Sequence, residues 1–268
     1  MLKKFIALVL ALLLLLSLCG CGGKTDSAFR TLDVVGTKRY STICRGGDRL
    51  APVIEAAMST LAGNGTISAL SVRWLGSDYC CLEGDASALT ALEELPEPRT
   101  LIFGVETDFY PMAYEENGHA KGICVDIANA LGELLGSEVR IQEILPNEGA
   151  AQLASGNVDC VLGFDAGLVK VEEYSVGACF MESEILLAVR SESELKRVRD
   201  LKGLRVGTVN DPAVLKAIRS NEKLTKHAAG ATEYLTLQRC IEALDAGWCA
   251  AVVLDSLMLR YYQLETGQ

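Results

Sequence analysis

Short apolar strands alternate with amphipathic helices after Thr100, and this alternation restricts the fold more than any other feature. The strand patterns are "TLIFGVE", "EVRIQEIL", "VDCVLGF", "LRVGTVN" and "AAVVLD". The helical patterns, with apolar residues at helical spacing, are "GICVDIANALGELLG", "NEGAAQLASG", "PAVLKAIRS" and "LTLQRCIEALDAG". Strand–helix alternation of this kind predicts an α/β protein with largely parallel sheets.

The N-terminus has the pattern of a secretory signal. A basic "MLKK" precedes the apolar run "FIALVLALLLLLSL". The run is short for a membrane span, and an uncleaved anchor helix is the alternative. "LCGC" at Leu18–Cys21 resembles a bacterial lipobox, which implies that Cys21 carries a lipid and that Cys19 leaves with the signal. Either way, we expect the body of the protein on the extracytoplasmic face of the cell membrane.

Charge and motif content argue against several classes of function. The net charge is −10 and no basic cluster occurs, which disfavours nucleic acid and anionic lipid headgroups as partners. His119 and His227 lie in polar stretches, and the chain has no nucleophile elbow, no phosphate-binding glycine loop and no Cys-x-x-Cys pair. We therefore expect no enzyme activity, no cofactor and no metal site.

The cysteines leave two interpretations open. Eight remain after Cys19 and Cys21: Cys44, Cys80, Cys81, Cys124, Cys160, Cys179, Cys240 and Cys249. An even number in an exported chain permits a disulfide framework. Cys160 and Cys249, however, lie in apolar runs typical of buried thiols. Free thiols are favoured over disulfides, and the adjacent pair Cys80–Cys81 as a soft-metal site is a weaker alternative.

From Leu101 to about Tyr262, the order of elements is similar to that of the solute-binding proteins of bacterial ABC transporters, the two-lobed amino-acid-binding kind. The matching pieces are "GVETDFYPMAYEENGHAKGICVDIANAL", "LASGNVDCVLGFD", "LKGLRVGTVND" and "AAVVLDSLMLRYY". The resemblance implies a type II periplasmic-binding-protein-like fold, with two lobes that are each a mostly parallel sheet flanked by helices.

The segment Thr31–Gly76 resembles the C-terminal part of that family, although it stands at the front of this chain. A circular permutation explains this order, because surface termini that lie close together can be joined by a linker at small entropic cost. We then expect Arg39–Cys44 in the same lobe as Leu101–Val105, and Leu32–Val35 beside the segment between the lobes. A truncated protein with an unrelated N-terminal domain is the alternative.

The resemblance predicts the division of the chain. The expected parts are a signal peptide (1–20), a tether (21–28), the segment matching the family's C-terminal part (29–76), a linker joining the family's usual termini (77–99), the rest of lobe 1 (100–187) and lobe 2 (188–268).

The resemblance also implies a ligand site between the lobes. Asp255 matches the family aspartate that takes the ligand α-ammonium, and the alternative role is an ordinary helix N-cap. Glu106 follows the first strand of its lobe where the family often has aspartate. Phe109 matches the aromatic residue that lies along the ligand, and simple packing under its loop is the alternative.

The second half of the site departs from the family pattern. Asp165 is followed by Lys170 where an arginine is expected, and a solvated surface lysine is the alternative. Asn210 begins the turn that should bind the ligand carboxylate, but Pro212 has no N–H and Asp211 would repel a carboxylate. The second stacking aromatic is replaced by Pro146–Asn147. An acidic cleft of this kind favours a cationic or amine-bearing ligand.

The sequence therefore predicts a monomeric, membrane-tethered solute-binding lipoprotein of an ABC importer. It would capture a small amine-containing solute, an amino acid or a related amine, and deliver it to permease and ATPase subunits. The alternative is a sensory or adaptor domain of the same fold that has lost or altered ligand binding.

Overall fold

The computed structural model describes residues 28–92, 99–168 and 173–267. The predicted signal segment, most of the tether, Cys21 and Lys170 lie outside these residues. The strands are β1 Phe29–Arg45, β2 Leu101–Glu106, β3 Tyr114–Glu116, β4 His119–Lys121, β5 Val139–Ile144, β6 Cys160–Asp165, β7 Tyr174–Val176, β8 Met181–Arg190, β9 Arg205–Val209, β10 Gly230–Tyr234 and β11 Ala251–Asp255. The α-helices are α1 Leu50–Gly63, α2 Thr66–Leu75, α3 Ile123–Leu135, α4 Gly149–Ala154, α5 Pro212–Ser220, α6 Glu222–His227, α7 Leu237–Asp245 and α8 Ser256–Thr266.

One curled, mixed sheet carries both lobes, in the order β10–β9–β11–β8–β1–β6–β2–β5, with β7 paired to β1. At one end β5, β2 and β6 are parallel, and at the other end β10, β9 and β11 are parallel. The two strands in the middle, β1 and β8, are antiparallel to each other and to their outer neighbours. The predicted α/β fold with two mostly parallel groups of strands is confirmed.

The long strand β1 connects the two groups. Its C-terminal part, Tyr40–Cys44, pairs with β6, which in turn pairs with β2. Its N-terminal part, Phe29–Tyr40, pairs with β8. These are the positions expected for the two halves of this segment. The expected boundary between residues 187 and 188 falls inside β8, because the strand continues without a break from one parallel group toward the other.

Helices cover the sheet with the faces that their apolar residues predict. The buried face of α1 consists of Leu50, Val53, Ile54, Ala57, Met58 and Leu61. This helix packs on α2 and α3. A separate core on the other side of the crossing strands joins β8, β9 and β11 to α5. The larger core runs without interruption from β2 and α3 in the first lobe to α7 and α8 in the second. The two lobes therefore share buried apolar surface, which is the main source of stability.

Gly36 lets α5 approach β1 closely. A Cβ atom at Gly36 would lie 3.1 Å from the Cβ atom of Ala217, a residue of α5. Such a contact is tighter than side chains ordinarily accept. The close approach brings the first residues of α5 toward the part of β1 that follows Gly36, where the candidate site lies.

The predicted linker runs over the surface of the first lobe in its described part. The backbone N–H of Cys81 donates to the carbonyl of Phe180 at 3.1 Å, and Leu89 N–H donates to the Thr60 hydroxyl at 3.0 Å. Arg99, just before β2, makes a two-pronged contact with Asp159 at 2.8 and 3.0 Å. The described parts of the segment are therefore held to the first lobe by hydrogen bonds.

Candidate functional site

Asp255 lies at the C-terminal end of β11, at the edge of a parallel group of strands where α/β proteins place ligands. It is 1% exposed. Its Oδ1 accepts the N–H of Leu257 at 2.7 Å, which makes it the N-cap of α8. Its Oδ2 accepts the hydroxyls of Tyr40 and of Ser183, the latter at 2.8 Å. The cap role is therefore present, and a ligand ammonium could reach this carboxylate only if Tyr40 or Ser183 gave up its hydrogen bond.

Asp211 is the N-cap of α5, on the other side of Lys38 from Asp255. Its Oδ1 accepts the N–H groups of Ala213 and Val214 at 2.9 and 3.3 Å, so it closes the N-terminus of α5. With these donors occupied and Pro212 lacking an N–H, the start of α5 is a poor binding site for a ligand carboxylate. This agrees with the departure from the family pattern noted in the sequence.

The ammonium of Lys38 occupies the space between these elements. Its Nζ donates to Oδ2 of Asp211 at 2.7 Å, and the two side chains are 5% and 1% exposed. The same nitrogen lies 4.4 Å from the centre of the Phe109 ring and 4.9 Å from the centre of the Tyr40 ring. A carboxylate with two aromatic faces is a favourable environment for a desolvated cation.

The carboxylates around Lys38 favour its charged form. Burial lowers the pKa of Lys38, but the negative charges of Asp211, Asp255 and Asp165 more than compensate, and the pKa is raised above its usual value. The pKa of Asp255 is also raised, because burial outweighs the stabilisation from Lys38, Tyr40 and Ser183. Among the described residues, Lys38 is thus the one fully buried cation, and Asp211 and Asp255 are buried beside it.

Two predicted carboxylates from the first lobe face the same cation. Burial raises the pKa of Glu106 to about 7, although the charge of Lys38 and the N–H groups of Asn147 and Gly149 act in the opposite direction. Its Oε1 accepts the Asn147 N–H at 3.1 Å. Burial also raises the pKa of Asp165, against the N–H of Gly167 and the charge of Lys38. The structure therefore brings Glu106, Asp165 and Asp255 into the electrostatic field of one ammonium.

The remaining predicted residues have different positions. Phe109 is buried, and its ring faces the Lys38 cation, which goes beyond simple packing under the loop. Asn210 is exposed at the end of β9 and makes no side-chain hydrogen bond among those found in the described residues. Lys170 lies outside the described residues. The sequence analysis missed Lys38 and Tyr40, whose spacing of two places them on one face of β1.

A cavity of about 560 Å³ opens between the two groups of strands, next to this cluster. Its walls include Asp165, Gly167, Ala213 and Lys216, and its floor is formed by residues of β1: Val35, Gly36, Thr37, Arg39 and Ser41. Of the predicted site residues that the structure describes, Asp165 is the one that lines it. The cavity is large enough for an amino acid. Lys38 and Tyr40 alternate along β1 with the lining residues and lie on the other face of the strand, and Asp165 is the residue of the Lys38 cluster that lines the cavity.

The cysteines and histidines lie apart from the Lys38 cluster, except Cys124. All eight cysteines of the described residues are free, and Cys160 and Cys249 are buried, as expected from their apolar surroundings. The sulfur atoms of Cys81 and Cys179 are 3.5 Å apart at the surface. His119 is exposed and His227 is half-buried. Within residues 28–92, 99–168 and 173–267, no group of histidine, cysteine and acidic side chains has the arrangement of a metal site.

Two lobes joined by crossing strands, with acidic and aromatic side chains meeting between them, define a two-lobed binding protein. Comparisons with known proteins agree. The sequence profile of the bacterial extracellular solute-binding proteins, family 3, matches residues 101–248. The chain belongs to this family.

Individual relatives are more distant. The chain is 27% identical over 110 residues to the arginine-binding extracellular protein ArtP of Bacillus subtilis (strain 168); the match covers 41% of this chain and 43% of ArtP. The chain thus spans less than half the length of this curated relative.

Solved structures show the same fold. The substrate-binding protein of an ABC uptake transporter from Streptococcus pneumoniae, with bound histidine, superimposes with a TM-score of 0.55 at 22% identity, covering 63% of this chain and 70% of that one. An ancestral arginine-binding protein bound to glutamine gives a TM-score of 0.50 at 22% identity, covering 62% and 74%.

Among the described residues, none of the helices has the length and apolar character needed to cross a membrane. The predicted signal and lipid-bearing cysteine precede the described part of the chain, so this finding concerns the body of the protein.

Proposed function

We propose that this protein is the extracytoplasmic receptor of an amino-acid ABC importer and that it captures a small cationic or amine-bearing solute between its lobes. The observation that carries the proposal is the convergence of Glu106, Asp165, Asp211 and Asp255 around one buried cation, beside Phe109. Family membership supports a binding role over catalysis. ArtP is named for arginine, and a cationic amino acid suits a cluster of carboxylates.

We further propose that the chain is a circular permutant, tethered through a lipid on Cys21. The family match covers residues 101–248, and Thr31–Gly76 lies outside it. The support for permutation is geometric: β1 fills the centre of the sheet between β8 and β6, where an unrelated N-terminal domain would have no reason to lie. The ring of Phe29 at the start of β1 lies 6.1 Å from the ring of Tyr262 in the last helix, so the two ends of the described chain are neighbours.

A thermal-shift screen tests the solute proposal. The purified protein without its signal segment is heated with each amino acid, with polyamines and with short peptides. A solute that binds the native state raises the melting temperature by mass action, by an amount that corresponds to about 2.7 kcal/mol at 100 times its Kd. We expect arginine, lysine or another amine to stabilise the protein more than glutamate. A protein that none of these compounds stabilises would favour the second candidate.

The second candidate function is a sensory or adaptor domain of the same fold without solute binding. The observation that favours it is that Lys38 already fills the space among the carboxylates. Cross-linking in membranes distinguishes the two: a receptor for an importer contacts permease subunits, whereas a sensory domain contacts a signalling protein.

A further inference from the structure

Lys38 has the environment that a binding protein would offer to the ammonium group of its ligand. The nitrogen has a charged hydrogen bond to Asp211 and lies against the faces of Phe109 and Tyr40. The negative charges of Asp255 and Asp165 raise the pKa of Lys38, and the charge of Lys38 lowers the pKa of Glu106. Phe109 and Asp255 are the residues that the family resemblance assigns to the ligand.

The position of Lys38 on β1 explains how its ammonium group reaches the cluster. Lys38 belongs to β1, the strand that crosses between the two groups of strands, and its aliphatic stem enters the cluster from there. Its neighbour Arg39, by contrast, is turned to solvent, with a side chain that is 63% exposed beside Glu182. Lys38 is therefore buried on one face of β1, whereas the opposite face is exposed at Arg39.

We propose that the ammonium of Lys38 is a tethered occupant of the cation site, so that an amine-bearing solute competes with this side chain for Asp211 and the two aromatic faces. The proposal deepens the proposed function and rests on it in one respect: the site that Lys38 fills is the one assigned to the solute amine.

Competition from Lys38 reduces the apparent affinity of the protein for an amine-bearing solute. When the competent state is a fraction f of the molecules, the apparent Kd is the intrinsic Kd divided by f, so an occupant present in about 99% of molecules weakens binding about 100-fold. An external cation that enters must also match the hydrogen bond and ring contacts that Lys38 gives up.

The test removes the Lys38 side chain and supplies a free ammonium ion of the same size. Lys38→Ala keeps Cβ and removes the three carbons and the nitrogen beyond it, which are the heavy atoms of n-propylammonium. In the full chain purified in mild detergent, Lys38→Ala is melted with about 100 mM n-propylammonium chloride or an equal concentration of sodium chloride. We expect the amine to raise the Tm of the variant by about 3 °C or more, and the wild-type Tm by less than about 1 °C.

Matched controls isolate the site. n-Propanol has the shape without the charge, and sodium propionate has the opposite charge, so neither should stabilise Lys38→Ala. Arg39→Ala removes the neighbouring exposed cation and should not respond to the amine. Asp211→Asn added to Lys38→Ala should weaken the response at least about tenfold in amine concentration, because the hydrogen-bonding carboxylate is lost.

The outcomes decide the proposal. Absence of a shift in Lys38→Ala, or equal shifts in the variant and the wild type, would overturn it. If Lys38→Ala does not fold, the same comparison is made during refolding from urea: recovery of the native fraction with n-propylammonium supports the proposal, and equal yields with sodium chloride overturn it. These results do not involve the natural solute, so a failed solute screen on the wild type would count against the proposed function alone.

Discussion

Nζ of Lys38 lies 2.7 Å from Oδ2 of Asp211, and the two residues are separated by 173 positions in the chain. Lys38 comes from the central crossing strand, and Asp211 caps the first turn of α5. Both side chains are almost completely buried. The ion pair therefore connects the strand between the lobes to the second lobe, beside the ring of Phe109.

Replacing Lys38 with methionine should destabilise the protein by about 3–5 kcal/mol, because Asp211 would remain buried without its cation. Adding Asp211→Asn should recover part of this loss, since the neutral amide costs less to bury and still offers an oxygen to the helix N-terminus. Urea denaturation of the two single variants and the double variant gives the coupling energy. Arg39→Ala, in an exposed pair with Glu182, serves as the control and should change stability by less than about 0.5 kcal/mol. A loss for Lys38→Met as small as that for Arg39→Ala would contradict the prediction.

Glu106 should make stability fall as the pH rises. Burial raises the pKa of Glu106 from 4.5 in the unfolded chain to about 7 in the native state. The native state therefore binds this proton more tightly, and the free energy of unfolding decreases between about pH 4.5 and pH 7, by at most about 3 kcal/mol. Above about pH 7 the free energy of unfolding includes the full cost of ionising the buried Glu106 side chain.

Glu106→Gln tests this directly, because glutamine keeps the acceptor for the Asn147 N–H but cannot ionise. We expect the stability difference between Glu106→Gln and the wild type to grow in favour of the variant from pH 5 to pH 8, as measured by urea denaturation. Glu143→Gln, on the neighbouring strand β5, controls for the general loss of one negative charge. A difference that does not change with pH would show that Glu106 is ionised equally in both states.

Asp255→Asn should weaken binding of an amine-bearing solute at least about thirty-fold. Loss of one partner from a buried charged hydrogen bond costs roughly 2–5 kcal/mol, and about 1.4 kcal/mol corresponds to a factor of ten. Asparagine remains a good N-cap for α8, so the helix should persist. Calorimetry with the solute found in the screen measures the effect, and Asp126→Asn, a half-buried carboxylate hydrogen-bonded to Trp74, is the control. An affinity within threefold of the wild type would mean that the solute does not use this carboxylate.

Cys21→Ser should release the protein from membranes or leave its signal uncleaved, whereas Cys19→Ser should have neither effect. The reason is chemical: acylation needs the thiol at the new N-terminus. Fractionation of cells and labelling with a radioactive fatty acid measure both effects. Label that persists in the Cys21 variant would show that the lipid is attached to another residue.

A chain in the order usual for the family should fold to the same structure. The variant begins at Arg99, continues to Gly267, and passes through a flexible linker of about six residues, roughly 14 Å in average span, to residues 28–92. We expect the same circular dichroism spectrum and a single unfolding transition, because Phe29 already lies beside Tyr262. The fragment 99–267 alone should not fold, since it lacks the central strand β1. A fragment that folds on its own would favour a separate N-terminal domain.

Much of the fold follows from local pattern. The strands β2, β6 and β11 and the helices α3, α5 and α7 were predicted because each carries its own apolar period and its own terminating residues. The strand β10 and the hairpin β3–β4 were not predicted, since their residues are mostly polar or half-buried and show no clear alternation. Their pairing comes from neighbours supplied by other parts of the chain.

The candidate site divides in the same way. The sequence by itself determined that acidic residues end the strands β2, β6 and β11, and that carboxyl groups outnumber cations around the expected cleft. Only the tertiary structure decided which cation they meet. Lys38 lies in a stretch, "VVGTKRYST", with nothing local to indicate burial. Its burial depends on Asp211 and Phe109, which come from other elements and meet Lys38 only in the folded chain, and on Tyr40 of its own strand. A charged side chain leaves water only where such partners replace its hydration.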